Sequence, residues 1–397
     1  MTGGEAVSAG APPPAAARGR VDNVDALRAA AALAVLGIHA YALGGRVVPV
    51  RAQHVYDVPL AALASGVWLF FAISGYVIGR PFVTRLVQGS PLPALGLYAL
   101  RRAARIYPLY WVALGALIAI AGVSGARPWQ LAAHLLLLNN LVPGREEALF
   151  PAAWTLTLEV LFYLAIPVLA LLVGRSRRAL SAERLAGMIL ASWALSIVFT
   201  LIADTRGDGT VGLWLRFTLP SMWQMFCPGL LLAVVPHLRS PRWRRALVAW
   251  PERPAAVVVA LACLTGAAVL GETAPLRFGI GTYQILVDAS RPLYAVGYGL
   301  VLAWAIRGRQ WGSGKGPVLA LGLASYGIYL LHPVLSELLI REGWVPLARD
   351  TLGAFAVHLV LLAMLTVPLA VLSWRALERP LVDLAGRTGR RRAPRER

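Results

Sequence analysis

The chain is 397 residues long, 58% hydrophobic and only 14% charged, with a mean hydropathy of +0.65. Soluble domains average roughly 45–50% apolar and about 25% charged residues, so a water-exposed globule of this length is excluded. The charge is lopsided, Lys+Arg 38 against Asp+Glu 19 for a net +19. These basic residues fall between apolar runs, which indicates a polytopic membrane protein rather than a nucleic-acid binder.

Residues 1–24 are rich in Ala, Gly and Pro and read as a disordered tail. They lack the positive-then-apolar order of a secretory signal. Spanning the hydrocarbon core takes roughly 20 apolar residues, and ten candidate spans follow: 26–45, 58–79, 106–123, 153–174, 186–203, 214–235, 255–271, 293–306, 318–340 and 351–374. The 293–306 run is short and extends N-terminally past Pro292. An eleventh run, 130–142, is short and carries His134, Asn139 and Asn140, so it reads as re-entrant or interfacial. With the N-terminus cytoplasmic, 28 of the 38 basic residues fall inside, as the positive-inside rule asks. The expectation is an all-α bundle of about ten transmembrane helices in the cell membrane, both termini cytoplasmic. Residues 25–380 form the transmembrane domain and 381–397 a basic tail. Cys227 and Cys263 lie in apolar stretches, which argues against a disulfide framework or a Cys metal site. No internal repeat of fixed period is evident.

Ionisable residues inside spans are costly and by default suggest function. In the first span, Arg28 and His39 are eleven residues apart, about 20° beyond three full turns, which puts them on one face roughly 16 Å apart along the axis. Arg28 then sits near the cytoplasmic entrance and His39 deep in the membrane. The bland alternative is a snorkelling Arg and a His bonded to a neighbouring helix. Ser74-Gly75, within an aromatic run, reads first as a tight helix–helix contact. Arg101, Arg102 and Arg105 occupy i, i+1 and i+4 at the mouth of the third span. They serve either as a topology signal or as guanidinium forks for phosphate. Glu159, one turn inside a span, demands a partner. Tyr326, Tyr329 and His332 share a loose face. His358 reads as a core residue, and Glu378-Arg379-Pro380 as a charged helix end.

Six pieces in order resemble the acyltransferase 3 family of integral-membrane O-acyltransferases. They are Arg28 with His39; Phe70-Phe-Ala-Ile-Ser-Gly75; Arg101-Arg-Ala-Ala-Arg-Ile-Tyr-Pro108; Trp154-Thr-Leu-Thr-Leu-Glu159 with Phe162-Tyr163; Ser325-Tyr-Gly-Ile-Tyr-Leu-Leu-His332; and Glu378-Arg-Pro380. The resemblance runs over residues 25–380. It implies transfer of an acyl group, acetyl or another short acyl, from acyl-CoA to a hydroxyl of a sugar, glycan or secreted metabolite such as a macrolide. On the same resemblance His39, Glu159 and His332 are catalytic, Arg28, Arg101, Arg102, Arg105 and Tyr107 hold the CoA, and no metal is called for. His39 would act as general base, its tautomer fixed by Glu159 or His332. Many such enzymes carry a C-terminal extracytoplasmic hydrolase-like domain; the sequence given runs only 17 residues past Pro380, which turns the expectation away from peptidoglycan and lipopolysaccharide acceptors. The Arg and Ala bias suggests a GC-rich bacterial genome.

A covalent route through Ser74 or His39 stays open. No Gly-x-Ser-x-Gly elbow or His-x-x-x-Asp signature is present, and Gly312-Ser-Gly-Lys-Gly316 is not a phosphate loop. The rival class is a proton-coupled secondary transporter with His39, Glu159 and His332 as a relay.

Overall fold

The computed structural model describes residues 19–43, 56–122, 127–141, 149–174, 179–206, 209–307, 316–344 and 352–392, which contain helices and no strand. In chain order the α-helices are α1 (Gly19–Leu43), α2 (Asp57–Ala61), α3 (Gly66–Gln88), α4 (Leu95–Ala121), α5 (Pro128–Leu135), α6 (Ala153–Val173), α7 (Ala182–Asp204), α8 (Thr210–Arg216), α9 (Leu219–Val234), α10 (Pro241–Ala249), α11 (Pro254–Arg307), α12 (Pro317–Leu323), α13 (Ser325–Arg341), α14 (Leu352–Ser373) and α15 (Arg379–Arg392). Residues 19–24, expected in the tail, are therefore helical, and the basic C-terminal segment continues as helix to Arg392; residues 1–18 lie outside the described residues.

Eight helical segments are long and apolar enough to cross a bilayer, and a ninth is a bent pair, α12 and α13, that meet at 70°. The count differs from ten because of α11, a single run of helix 54 residues long. It is not straight. A Cβ on Gly297 would lie 2.7 Å from the Leu264 side chain, and one on Gly271 would lie 3.3 Å from Ser290 Oγ. Residues 19 and 33 positions apart touch only if the chain reverses, so Pro254–Gly271 and 288–307 are antiparallel arms. The short 293–306 run thus begins before Pro292, as its length requires.

The 130–142 run does not build a spanning helix. α5 has eight residues and ends in a turn at Leu137, φ 54°. Asn139 and Asn140 are buried there as fasteners: Asn140 Nδ2 donates to the carbonyls of Trp154 (2.9 Å) and Phe217 (3.3 Å), and Asn139 Oδ1 accepts from Thr157 (2.6 Å). Side-chain amides that satisfy backbone carbonyls stop the apolar segment from continuing as helix.

The centre of the bundle is the α3–α9 crossing. A Cβ on Gly75 would collide with the Phe226 carbonyl, and one on Gly229 with the Ala72 carbonyl and the Tyr76 amide. Paired glycines let two backbones touch, the device by which membrane helices gain contact where apolar burial gives no preference. Around that crossing Phe226 stacks on Phe71 (4.7 Å) and Phe162 (4.1 Å), tying α3, α6 and α9 into one core.

Candidate active site

α1, α3, α4, α6 and α13 surround a cavity of ≈ 320 Å³. Its rim carries Arg28 of α1 and Arg101, Arg102 and Arg105 of α4; its wall carries Ser74, Glu159 and Tyr163; Thr155 and Tyr329 line it too. Four of the five expected cofactor residues and Glu159 therefore converge from three helices.

The four guanidiniums are not equivalent. Arg105 donates to Glu378 at 2.6 Å and to the Leu323 carbonyl at 3.4 Å, and it stacks on Trp374 and Tyr326. Glu378 is buried, so the Glu-Arg-Pro segment is not a mere charged helix end: its carboxylate neutralises Arg105. Arg28 leans on Asp25 at 3.9 Å. Arg101 is exposed at the mouth and Arg102 half-buried over the Tyr163 ring, and neither meets a carboxylate among the described residues.

Tyr107 lies away from the other four. Its hydroxyl donates to the Leu136 carbonyl at 3.1 Å, its ring lies against Trp111, and it is absent from the cavity wall. Five residues from Arg102 on a helix is about 500°, or 140° away, which carries Tyr107 off the arginine face.

Glu159 finds partners, but not the expected one. It accepts from Ser74 Oγ at 2.9 Å and from the Tyr163 hydroxyl, one turn along α6. Ser74 is thus a bonded member of the cavity wall as well as a neighbour of the Gly75 contact. Instead of Glu159, the Val35 carbonyl fixes the His39 ring: Nδ1 lies 2.8 Å from it. A carbonyl only accepts, so Nδ1 holds the proton of the neutral ring and Nε2 the lone pair.

His332 does meet His39. The two rings lie 4.4 Å apart, edge to face, and His332 Nδ1 donates to the Ile328 carbonyl at 3.1 Å while its Nε2 is buried without a partner among the described residues. His39 is half-buried and His332 fully buried. Neither lines the cavity. Between them and it stands Tyr329, whose ring meets His332 at 5.8 Å and Phe70 at 5.9 Å and whose hydroxyl bonds Thr155 at 2.5 Å. The Tyr326–Tyr329–His332 face was legible in the sequence. Thr155 was not, because its role depends on a partner 174 residues away. His358 is buried on α14 facing the Ala40 backbone, so it is a core residue.

An all-helical membrane bundle in which an arginine-rimmed cavity leads toward a histidine pair has the parts of a membrane-embedded group-transfer enzyme. Comparison with known proteins defines it further: the acyltransferase-domain family, acyltransferase 3, matches residues 21–375, and the chain belongs to that family. It is a multi-pass membrane acyltransferase. It is 28% identical over 391 residues to nodulation protein 10 of Rhizobium leguminosarum bv. viciae, covering 92% of this chain and 94% of that one. No solved structure matches.

Proposed function

We propose that the protein moves a short acyl group from acyl-CoA, taken from the cytoplasmic side, to a hydroxyl of a sugar, glycan or secreted metabolite. The observation that carries this reading is one cavity rimmed by two arginines without carboxylate partners and closed at Tyr329, which touches the His39–His332 pair. Guanidinium forks suit phosphate, so Arg101 and Arg102, with Arg28 beside them, hold the anionic end of CoA. Arg105 shapes the rim but, with Glu378 on it, contributes little charge. Ser325 and Tyr326, the first residues of α13, also line the cavity, so the positive end of that helix faces the same space.

The acyl-pantetheine arm lies along the cavity past Glu159 and Thr155, and its thioester reaches His39 when Tyr329 turns away from Thr155. His39 Nε2 then takes the proton of the acceptor hydroxyl as its oxygen bonds to the acyl carbon. The tetrahedral adduct collapses, the carbon–sulfur bond breaks, and the proton passes from His39 to the departing thiolate. Proton transfer of this kind contributes roughly 10²–10⁴-fold. Glu159, bonded to Ser74 and Tyr163, orients the wall rather than the base. No step calls for a metal. Ten crossings, with the arms of α11 counted separately, set both termini on one side, and the arginine surplus supports reading that side, with the Arg101–Arg105 rim, as the cytoplasm and the membrane as a bacterial cell membrane.

The test is turnover of labelled acyl-CoA by the purified chain. His39→Gln keeps size and polarity without a base of suitable strength; its rate is expected to fall by ~10²-fold or more while labelled CoA still binds. Undiminished turnover overturns the assignment. The bend between α12 and α13 is also a device of secondary transporters, and the same assay separates that reading: an exporter leaves the thioester intact.

A further inference from the structure

On the far side of α9 from the catalytic cavity lies a second hollow, ≈ 740 Å³, between α7, α9, α10 and the second arm of α11. Its walls are Leu190, Leu231, Val296 and Leu300 with Trp193 and Trp243; polar side chains enter only at one end, as Glu183 and Ser240. From Glu183 to Trp193 along α7 is ten residues, about 15 Å, or half of a hydrocarbon core of roughly 30 Å. The groove therefore runs from a membrane interface to the midplane. It is one leaflet deep.

The polar end is marked by α10, Pro241-Arg-Trp-Arg-Arg-Ala-Leu-Val-Ala249, capped by the Ser240 hydroxyl on the Trp243 amide. Trp243 and Leu247, one turn apart, line the open edge of the groove, and Arg242 and Arg244, also exposed, flank them. Arg239, also exposed, sits between two groove residues, Leu238 and Ser240, its amide held by Glu183 at 2.7 Å. A short helix that brings aromatic and aliphatic residues to the groove edge, with arginines flanking them, is an interfacial helix. Three arginines against one carboxylate make the groove mouth cationic. Inside, Trp193 Nε1 is buried and has no acceptor among the described residues.

We propose that this groove holds one anionic phospholipid, an acyl chain lying in the apolar channel and the phosphate headgroup resting on Arg239, Arg242 and Arg244. Depth matches a single chain of one leaflet, and charge selects the headgroup. A neutral lipid satisfies the first feature and leaves the second unused. The inference rests on packing and charge alone and stands whether or not acyl-CoA is the donor at the other cavity.

Native mass spectrometry of the full chain in detergent, titrated in parallel with phosphatidylglycerol and phosphatidylcholine of the same chains, tests it. An arginine near an anionic surface contributes roughly five-fold in affinity, so one phosphatidylglycerol is expected to be retained at least ~10-fold more tightly than phosphatidylcholine. In the combined variant Arg239→Gln, Arg242→Gln, Arg244→Gln that preference is expected to shrink to within about two-fold. Gly187 lines the groove and has open space where a Cβ would go; Gly187→Trp is expected to expel the retained lipid from the chain. Equal retention of the two lipids by the unaltered chain means ordinary bilayer contact and overturns the proposal, and this comparison needs no variant to fold. A preference that survives the triple substitution, or a groove closed by a second copy seen as a lipid-free dimer, overturns it as well.

Discussion

Two regions of this molecule hold arginines and carboxylates inside the bundle, and they use them in opposite ways. At the end of α7, Arg216 Nε lies 2.8 Å from Asp204 and 3.2 Å from Asp288, and Arg291 lies 2.6 Å from Asp288. Arg291 also donates to the Arg216 carbonyl and to Ser221. Arg216 is 1% exposed. Two positive and two negative groups cancel, and they join α7, α8 and the second arm of α11. At the candidate cavity, Arg101 and Arg102 meet no carboxylate among the described residues. Buried charge is costly unless paired, so the paired set is a fastening; the unpaired set, exposed or half-buried, is left free for the anion proposed above. Charge alone does not mark function in a membrane bundle; the missing counter-charge does.

The comparison breaks if removal of a charge has the same effect in both places. The largest effect is expected at the fastening. Arg216→Ala leaves Asp204 and Asp288 facing each other in the bundle, and loss of one partner of a buried ion pair costs about 3–5 kcal/mol. Thermal unfolding in detergent is expected to show a large drop in midpoint, eased by adding Asp204→Asn, with any folded remainder keeping its KM for acyl-CoA. A smaller and different effect is expected at the cavity. Arg102→Gln removes the proposed contact to the CoA phosphates, worth about 1.5–3 kcal/mol, so KM for acyl-CoA is expected to rise roughly 10- to 100-fold with kcat within a few-fold and the unfolding midpoint unchanged. A shifted midpoint without a change in KM would make Arg102 another fastening. The smallest effect belongs to Arg379, whose pair with Asp383 is 3.8 Å long and whose side chain is 67% exposed. Arg379→Ala is expected to change neither measurement, since exposed pairs contribute about 0–1 kcal/mol.

Much of this was legible in the residues. Apolar run length located the eight long spanning segments and the bent pair, and the eleven-residue interval in α1 predicted one face for Arg28 and His39, of which Arg28 lines the cavity and His39 does not. What could not be read was pairing. Glu378 and Arg105 are 273 residues apart, and no periodicity says that they meet. Asp288 and Arg291 lie N-terminal to a short apolar run, where a charge looks like an interfacial residue, and only the reversal of α11 carries them inside. Tyr107 lies off the cavity wall for the opposite reason. It belongs to a recognisable run of residues, but a helix turns, and a run of eight covers every face. Glu159 was correctly seen to need a partner; the nearest donors were a serine and a tyrosine, not the histidine that the chemistry suggested.

The glycine-on-glycine crossing of α3 and α9 has a consequence for substrate range. Ser74 stands beside Gly75, so the wall it forms is pinned by backbone against backbone and cannot yield to a bulkier guest. The opposite wall is built differently: Leu323, Ser325 and Tyr326 sit at a break between two helices, held by side-chain bonds, Tyr326 to the Ile106 carbonyl and Arg105 to the Leu323 carbonyl. If the proposed acyl donor lies in this cavity, homologues that differ in donor preference are expected to differ at that break rather than at the glycine crossing.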